Sequence, residues 1–160
     1  MSNEAEIIPT QDIARLIYPL RDQRVILDSD LASISQFPTK ALNQAVKRNR
    51  GKFPEDFVFE VSSGEAEDLR RLRSQSVTLK LGRGQHRKYL PSAFTEHGAL
   101  MAATVLNSPR AVTMSIYIIR TFVRMREDLA ANAAILKRLA EIDKTLLLHD
   151  AALRTLHFLT

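Results

Sequence analysis

The chain contains no cysteine, which excludes a disulfide framework and any thiolate metal site and leaves no reason to expect an oxidising compartment. Its opening segment lacks the basic, apolar and small-residue succession of a secretory leader. Long hydrophobic runs are missing too: the longest apolar-leaning stretch, Ala111 to Ile119, is far too short to span a bilayer. There is no internal repeat and no low-complexity segment. The expectation is a cytoplasmic protein with no membrane partner, large enough at 160 residues and 45% hydrophobic content to fill a real core.

Acidic residues are absent from two stretches. None occurs between Asp30 and Glu55, where Lys40, Lys47, Arg48, Arg50 and Lys52 sit, and none between Asp68 and Glu96, where Arg70, Arg71, Arg73, Lys80, Arg83, Arg87 and Lys88 sit. The net charge of +5 therefore has a location: residues 1–127 carry 19 Lys/Arg against 14 Asp/Glu, whereas residues 128–160 carry four of each. A patch of one sign concentrates phosphate, so a polyanion partner is expected, although a single charge run is more often just a solvated face.

Local patterns place these blocks on elements. Ile17 to Leu20 and Val25 to Leu27 read as two short strands around a polar turn, with Pro19 confining its strand to a sheet edge. Asp28 or Ser29 can cap a short helix carrying Leu31 and Ile34 inward; Pro38 closes it and Thr39 caps the next. On that second helix Leu42, Ala45 and Val46 share one face, and Lys40, Asn43, Gln44, Lys47 and Arg48 the other. Phe57, Phe59 and Val61 alternate as in a half-buried strand from Asp56 to Val61. Ser62 and Glu65 have capping-box spacing and should open a helix running to about Leu72. Residues 77–81 and 86–90 read as a basic hairpin. Thr95 should cap a helix through Leu106, and Ser108-Pro109 starts another, with proline where its missing donor costs nothing.

Beyond Pro109 there is neither glycine nor proline. Val112, Ile116, Ile119 and Val123 suggest an inward face. Further on, Ile135, Leu139, Ile142, Leu146, His149, Leu153 and Leu156 recur at alternating spacings of four and three. That is a heptad seam with one polar member, and it predicts an association helix, a homodimer being the simplest form.

The expected architecture is α+β: a small mixed domain over residues 7–127, with a helix-turn-helix-like pair and a basic β-hairpin, followed by a helical oligomerisation segment over 128–160. A helix, a tight turn and a second helix bearing amides and cations is a layout that can enter the major groove of double-stranded DNA. On this reading Lys40, Lys47, Arg48 and Arg50 neutralise phosphates, Asn43 and Gln44 sample base edges, and Lys80, Arg83, Arg87 and Lys88 hold adjacent backbone. A protein-binding alternative uses the C-terminal helix to capture a partner such as a repressor, without DNA contact. Enzyme chemistry is not expected. Asp28, Asp30, Glu55 and Asp56 could hold a divalent cation in a nuclease, but they are better explained as helix-start and turn residues. None of the four histidines has the i, i+4 partner of a helical zinc site, and Gly82-Arg83-Gly84 lacks the lysine and helix start of a nucleotide loop. No cofactor and no metal are expected.

The blocks "LRDQRVILDSDLASI", "TKALNQAVKRNRGKFPEDFVFEV", "RKYLPSAFTEHGALMAATVLNS" and "IRTFVRMRE", taken together and in this order from about Ile17 to Glu127, resemble the phage-type Orf-six N-terminal domain, a relative of the KilA-N DNA-binding domains of bacteriophages and bacteria. The combination "VILDSDLA", "FPEDFVF" and "AFTEHG" is the specific part. The resemblance implies a small α+β DNA-binding module of phage and prophage regulators, some similar to antirepressors, often joined to a variable C-terminal part. It also implies that the helix from Thr39 to Asn49 and the basic hairpin contact DNA. The chain departs from the usual pattern at Asp22, where glycine is common, and at His97, where glutamine is common.

Overall fold

A computed structural model describes residues 10–75 and 90–159. A short helix, α1 (Thr10–Arg15), leads into a hairpin of β1 (Ile17–Leu20) and β2 (Gln23–Leu27); α2 (Asp28–Ser35) and α3 (Thr39–Arg48) follow, then a 3-10 turn, Arg50–Lys52. Next come β3 (Val58–Glu60), α4 (Ser63–Gln75), β4 (Ser92–Phe94), α5 (Glu96–Leu106) and α6 (Pro109–Leu159). The four strands form one antiparallel sheet in the order β1-β2-β4-β3. The α+β expectation is met, and Pro19 lies on the edge strand, as a residue without an amide donor must. The predicted hairpin over 77–90 falls almost wholly outside the described residues, together with Lys80, Arg83, Arg87 and Lys88.

The β1-β2 turn places both Arg21 (φ 52°) and Asp22 (φ 60°) in the left-handed region, the two-residue turn whose twist matches the strands it joins. Arg21, not glycine, tolerates this because its side chain is tied down. The guanidinium donates to both carboxylate oxygens of Glu65 at 2.9 and 2.7 Å and lies 4.3 Å from the centre of the Phe59 ring. Glu65 also closes the predicted capping box, accepting from the Ser62 amide at 2.9 Å while Ser62 Oγ accepts from its own amide at 3.2 Å. These donors, Arg21 foremost, hold the Glu65 carboxyl down at about 2.

Alternation along the strands sorts the core into two sides. Tyr18, Val25, Leu27 and Ala93 meet Val61 and the α4 residues Ala66 and Leu69 on one side. Ile26 and Phe94 are fully buried, and Phe94 takes Phe53 edge-on, centroids 6.5 Å apart. β4 was not expected as a strand. Ser-Ala-Phe has little strand preference of its own, and its state is set by the partners on both sides, Ile26 and Val58 both facing Phe94. β3 is shorter than the alternation suggested, because residues 55–57 form the turn that leads into it.

Two helix starts differ from expectation by one position. β2 runs straight into α2, so extended Leu27 is the N-cap and Asp28 is already inside the helix; Pro38, extended at φ −61° and ψ 141°, is likewise the N-cap of α3 in place of Thr39. Neither cap residue has a side-chain acceptor. By contrast, Thr95 and Ser108 cap as predicted, accepting from Gly98 N at 3.4 Å and Ala111 N at 3.0 Å.

The inward face of the first part of α6 is also not the expected one. Ala111, Met114, Ile118 and Phe122 are buried, whereas Val112 and Ile116 are about half exposed. This stretch is apolar nearly all round, so periodicity admits two faces, and the small Ala111 lies on the one that is used. Arg110 donates to the Ile34 carbonyl at 3.2 Å, tying the start of α6 to the end of α2. The chain divides into two compact units, 1–122 and 123–160.

Candidate nucleic-acid interface

α2 ends in a left-handed Gln36 (φ 60°, ψ 42°). The Phe37 amide donates to Ala32 O at 2.9 Å and the Gln36 amide to Ser33 O at 3.2 Å, the pair of bonds that closes a helix and turns the chain sharply. Pro38 follows and cannot continue a helix, so α3 begins at once in a new direction. Buried Leu42 and Ala45 seat α3 on the domain. Its far end is closed by Asn49, whose side-chain amide donates to Ala45 O at 2.8 Å.

This seating turns the basic face outward. Lys40, Gln44, Lys47 and Arg48 are exposed, and at 3.6 residues per turn they fall within a sector of about 100°. Arg50 and Lys52 are exposed in the 3-10 turn that follows. No acid lies in the first turn of α3, so the positive end of the helix dipole and Lys40 reinforce one another. A surface of this kind can neutralise several phosphates and offer one amide to a base edge.

Asn43 stands apart from that group. It is half-buried, and its side-chain amide donates to Asp28 Oδ2 at 3.0 Å, while Asp28 Oδ1 accepts from the Ser29 amide at 2.8 Å. Asp28 has no exposed surface. Asn43 and Asp28 thus join α3 to α2 and fix the rotation of the exposed face.

A second buried group of polar residues lies beneath α2. Asp30 pairs with Arg73 of α4, and Arg73 Nε donates to the Tyr18 hydroxyl at 3.2 Å. Burial pushes the Asp30 carboxyl up to about 6, against the pull of the Arg73 charge and with a further push from Asp28. Neither link was expected from the sequence, where Asp28 and Asp30 look like ordinary helix-start acids. The available signal was two acids in a helix whose other positions are nearly all core.

The Asp30 shift has a definite sign. Its carboxyl holds a proton more tightly folded than unfolded (about 6 against 3.8), so between these values the native state binds more protons and stability falls as pH rises. The group should favour the fold by about 2 kcal/mol more at pH 4 than well above pH 6. Glu65 acts oppositely, its contribution being present above about pH 4.5 and lost towards pH 2. Thermal melts of the wild type and Asp30→Asn across this range should therefore differ in slope between pH 4 and 6. Parallel profiles would show that Asp30 does not titrate in that window.

Among the described residues there is no cluster of His, Asp or Glu that could hold a metal ion, and no helix is long and apolar enough to cross a membrane. His97 stacks on Phe57, with ring centroids 5.5 Å apart and 19° between planes, so its imidazole packs against the turn that precedes β3.

A family model described as ORF6N domain matches residues 15–105, a span that contains α2, α3, the sheet and nearly all of α5. No curated protein and no solved structure gives a significant match.

Proposed function

The chain belongs to the ORF6N domain family, a phage-type regulatory and DNA-binding family, and on that premise we propose that it is a regulator that binds duplex DNA through the exposed face of α3. The observation that carries this reading is the outward stripe of Lys40, Gln44, Lys47 and Arg48, continued by Arg50 and Lys52 and held by a fixed two-helix turn. Lys40, Lys47, Arg48 and Arg50 neutralise phosphates and set the register of the helix. Gln44 reaches base edges, and Asn43, committed to Asp28, positions the helix and contributes less to reading. Lys80, Arg83, Arg87 and Lys88 are assigned an adjacent stretch of backbone, their charge being of the right sign. A role in transcriptional control, including antirepression, fits a module of this family.

Binding to a mixed-sequence duplex, followed by fluorescence anisotropy, should weaken by about two orders of magnitude between 50 and 200 mM salt if four phosphates are engaged. Lys47→Glu with Arg48→Glu should weaken it about 100-fold at fixed salt and flatten the salt slope by about two contacts. Unchanged affinity in a variant with a normal circular dichroism spectrum would remove α3 from the interface. No detectable binding even at about 50 mM salt would instead favour capture of a protein through the C-terminal helix.

A further inference from the structure

From Arg126 to His157 every side chain of α6 is exposed, and its large apolar residues, among them Ile142 and Leu147, are between 47% and 71% accessible. A stripe this long is not left to water in a stable assembly. The sequence pattern gives it a register. Alternating steps of four and three put Leu139, Leu146 and Leu153 at the a positions of a heptad and Ile135, Ile142, His149 and Leu156 at the d positions.

We propose that this segment binds further copies of the same chain in a parallel, four-stranded coiled coil. The charges on its flanks select the parallel order. In parallel strands the g position of one helix faces the e position of its neighbour five residues on, which sets Arg138 against Asp143 of the next copy. Among the described residues neither has an ion pair within its own chain, whereas Asp150 is held by Arg154 of its own helix at 3.0 Å. Antiparallel strands would turn e towards e, bringing Asp143 of one chain to Asp150 of the other, and like charges so placed disfavour that order.

The number of strands follows from which branched residue occupies which position. Isoleucine at a with leucine at d favours two strands; leucine at a with isoleucine at d shifts the preference to higher order, and here leucine fills Leu139, Leu146 and Leu153 at a while isoleucine fills two of the four d positions, Ile135 and Ile142. The flanks agree. In a pair the e and g positions are rim sites and usually charged; here Arg138, Asp143 and Asp150 are charged, but Leu129 and Leu136 also occupy e while Ala131, Thr145 and Ala152 occupy g. Such flanks suit a wider seam in which e and g are also covered. The simple pair suggested by heptad spacing alone is thus enlarged to four, with His149 as the one polar layer, a device that fixes register. This inference is independent of what α3 binds.

The test is the mass of the full-length chain in solution without DNA, by multi-angle light scattering at micromolar concentration. Four times the 18.1 kDa chain mass is expected; a mass of one or two chains overturns the four-stranded assembly. Leu146→Asp should reduce the mass to that of a single chain, and a mass that stays at four places the interface elsewhere. Orientation is read from Leu156→Cys, the only thiol in that variant. Oxidation of parallel strands links chains covalently on a non-reducing gel. Antiparallel strands hold these thiols about 30 Å apart, so a gel showing only single chains overturns the parallel order.

Discussion

Replacing Arg73 by alanine is expected to destabilise the N-terminal unit by about 3–5 kcal/mol at pH 7.5, the range found when one partner of a buried ion pair is removed. Arg73 is 6% exposed, and its partner Asp30 7%. The truncation leaves that carboxylate in a dry site, takes a donor from the Tyr18 hydroxyl and removes the cation 5.6 Å from the centre of the Tyr18 ring. Most of the penalty comes from the stranded charge, so it should shrink when the charge can be neutralised. Asp30 already titrates near 6 with Arg73 present; without that cation its carboxyl rises further and takes up a proton at milder pH. Urea unfolding at pH 5 should therefore show a smaller difference from wild type than at pH 7.5. Asp30→Leu combined with Arg73→Met should recover much of the loss, because an apolar pair of similar volume avoids the desolvation that the ion pair incurs. A loss equal at both pH values would attribute the effect to packing of the arginine stem.

The consequence reaches the candidate interface through α2. Asp30 and Asp28 lie on this one short helix, the first tied to α4 by Arg73 and the second to α3 by Asn43. α2 is therefore held between the sheet-covering helix and the basic helix, and loosening one side frees the other. Arg73→Ala should weaken DNA binding even at temperatures where most molecules remain folded, through disorder in α3 and without any change in its surface charge.

Which parts of this arrangement were legible beforehand depends on the range of the forces involved. Ser62 with Glu65, Thr95 with Gly98 N and Ser108 with Ala111 N are local bonds, settled within four residues, and the spacing of these residues announces all three helix starts. The outward placing of Lys40, Gln44, Lys47 and Arg48 was equally legible, since Leu42 and Ala45 leave a helix little choice, whereas Asn43, expected with them, turns to Asp28. The polar turn between β1 and β2 was legible too, but not the left-handed backbone of Arg21 and Asp22, which is stabilised by Glu65, 44 positions from Arg21. β4 and the Asp28–Asn43 and Asp30–Arg73 links likewise exist only once distant segments meet, and no period in the sequence announces them. On α6 the difficulty was excess: Ala111, Met114 and Ile118 compete with Val112, Ile116 and Ile119 for the core, and hydrophobic pattern cannot choose between two apolar stripes.

Gly98 belongs to the same class of long-range constraint, and Gly98→Ala is expected to cost about 3 kcal/mol or more, the upper end of what inserting one methyl group into a filled site does. A β-carbon there would lie 2.9 Å from the carbonyl carbon of Phe57 and 3.2 Å from Val58 Cγ2, and closer still to the Phe57 oxygen. Two of these three atoms are backbone, so no rotamer change can relieve the contact. Nor can the Phe57 carbonyl move away cheaply. It accepts from the Thr95 amide at 2.9 Å and from Thr95 Oγ1 at 3.2 Å, and the same hydroxyl caps α5 through Gly98 N. Helix start, cap and strand entry form one closed unit in which only glycine lets the backbones approach. Alanine is otherwise the better helix former by roughly 1 kcal/mol, so a stabilised variant in thermal melts would mean that β3 and α5 can separate without loss. The expected fall in midpoint, together with a disturbed His97–Phe57 stack seen as a shifted imidazole resonance, would instead fix the role of the glycine in "TEHG" as close approach of α5 to β3.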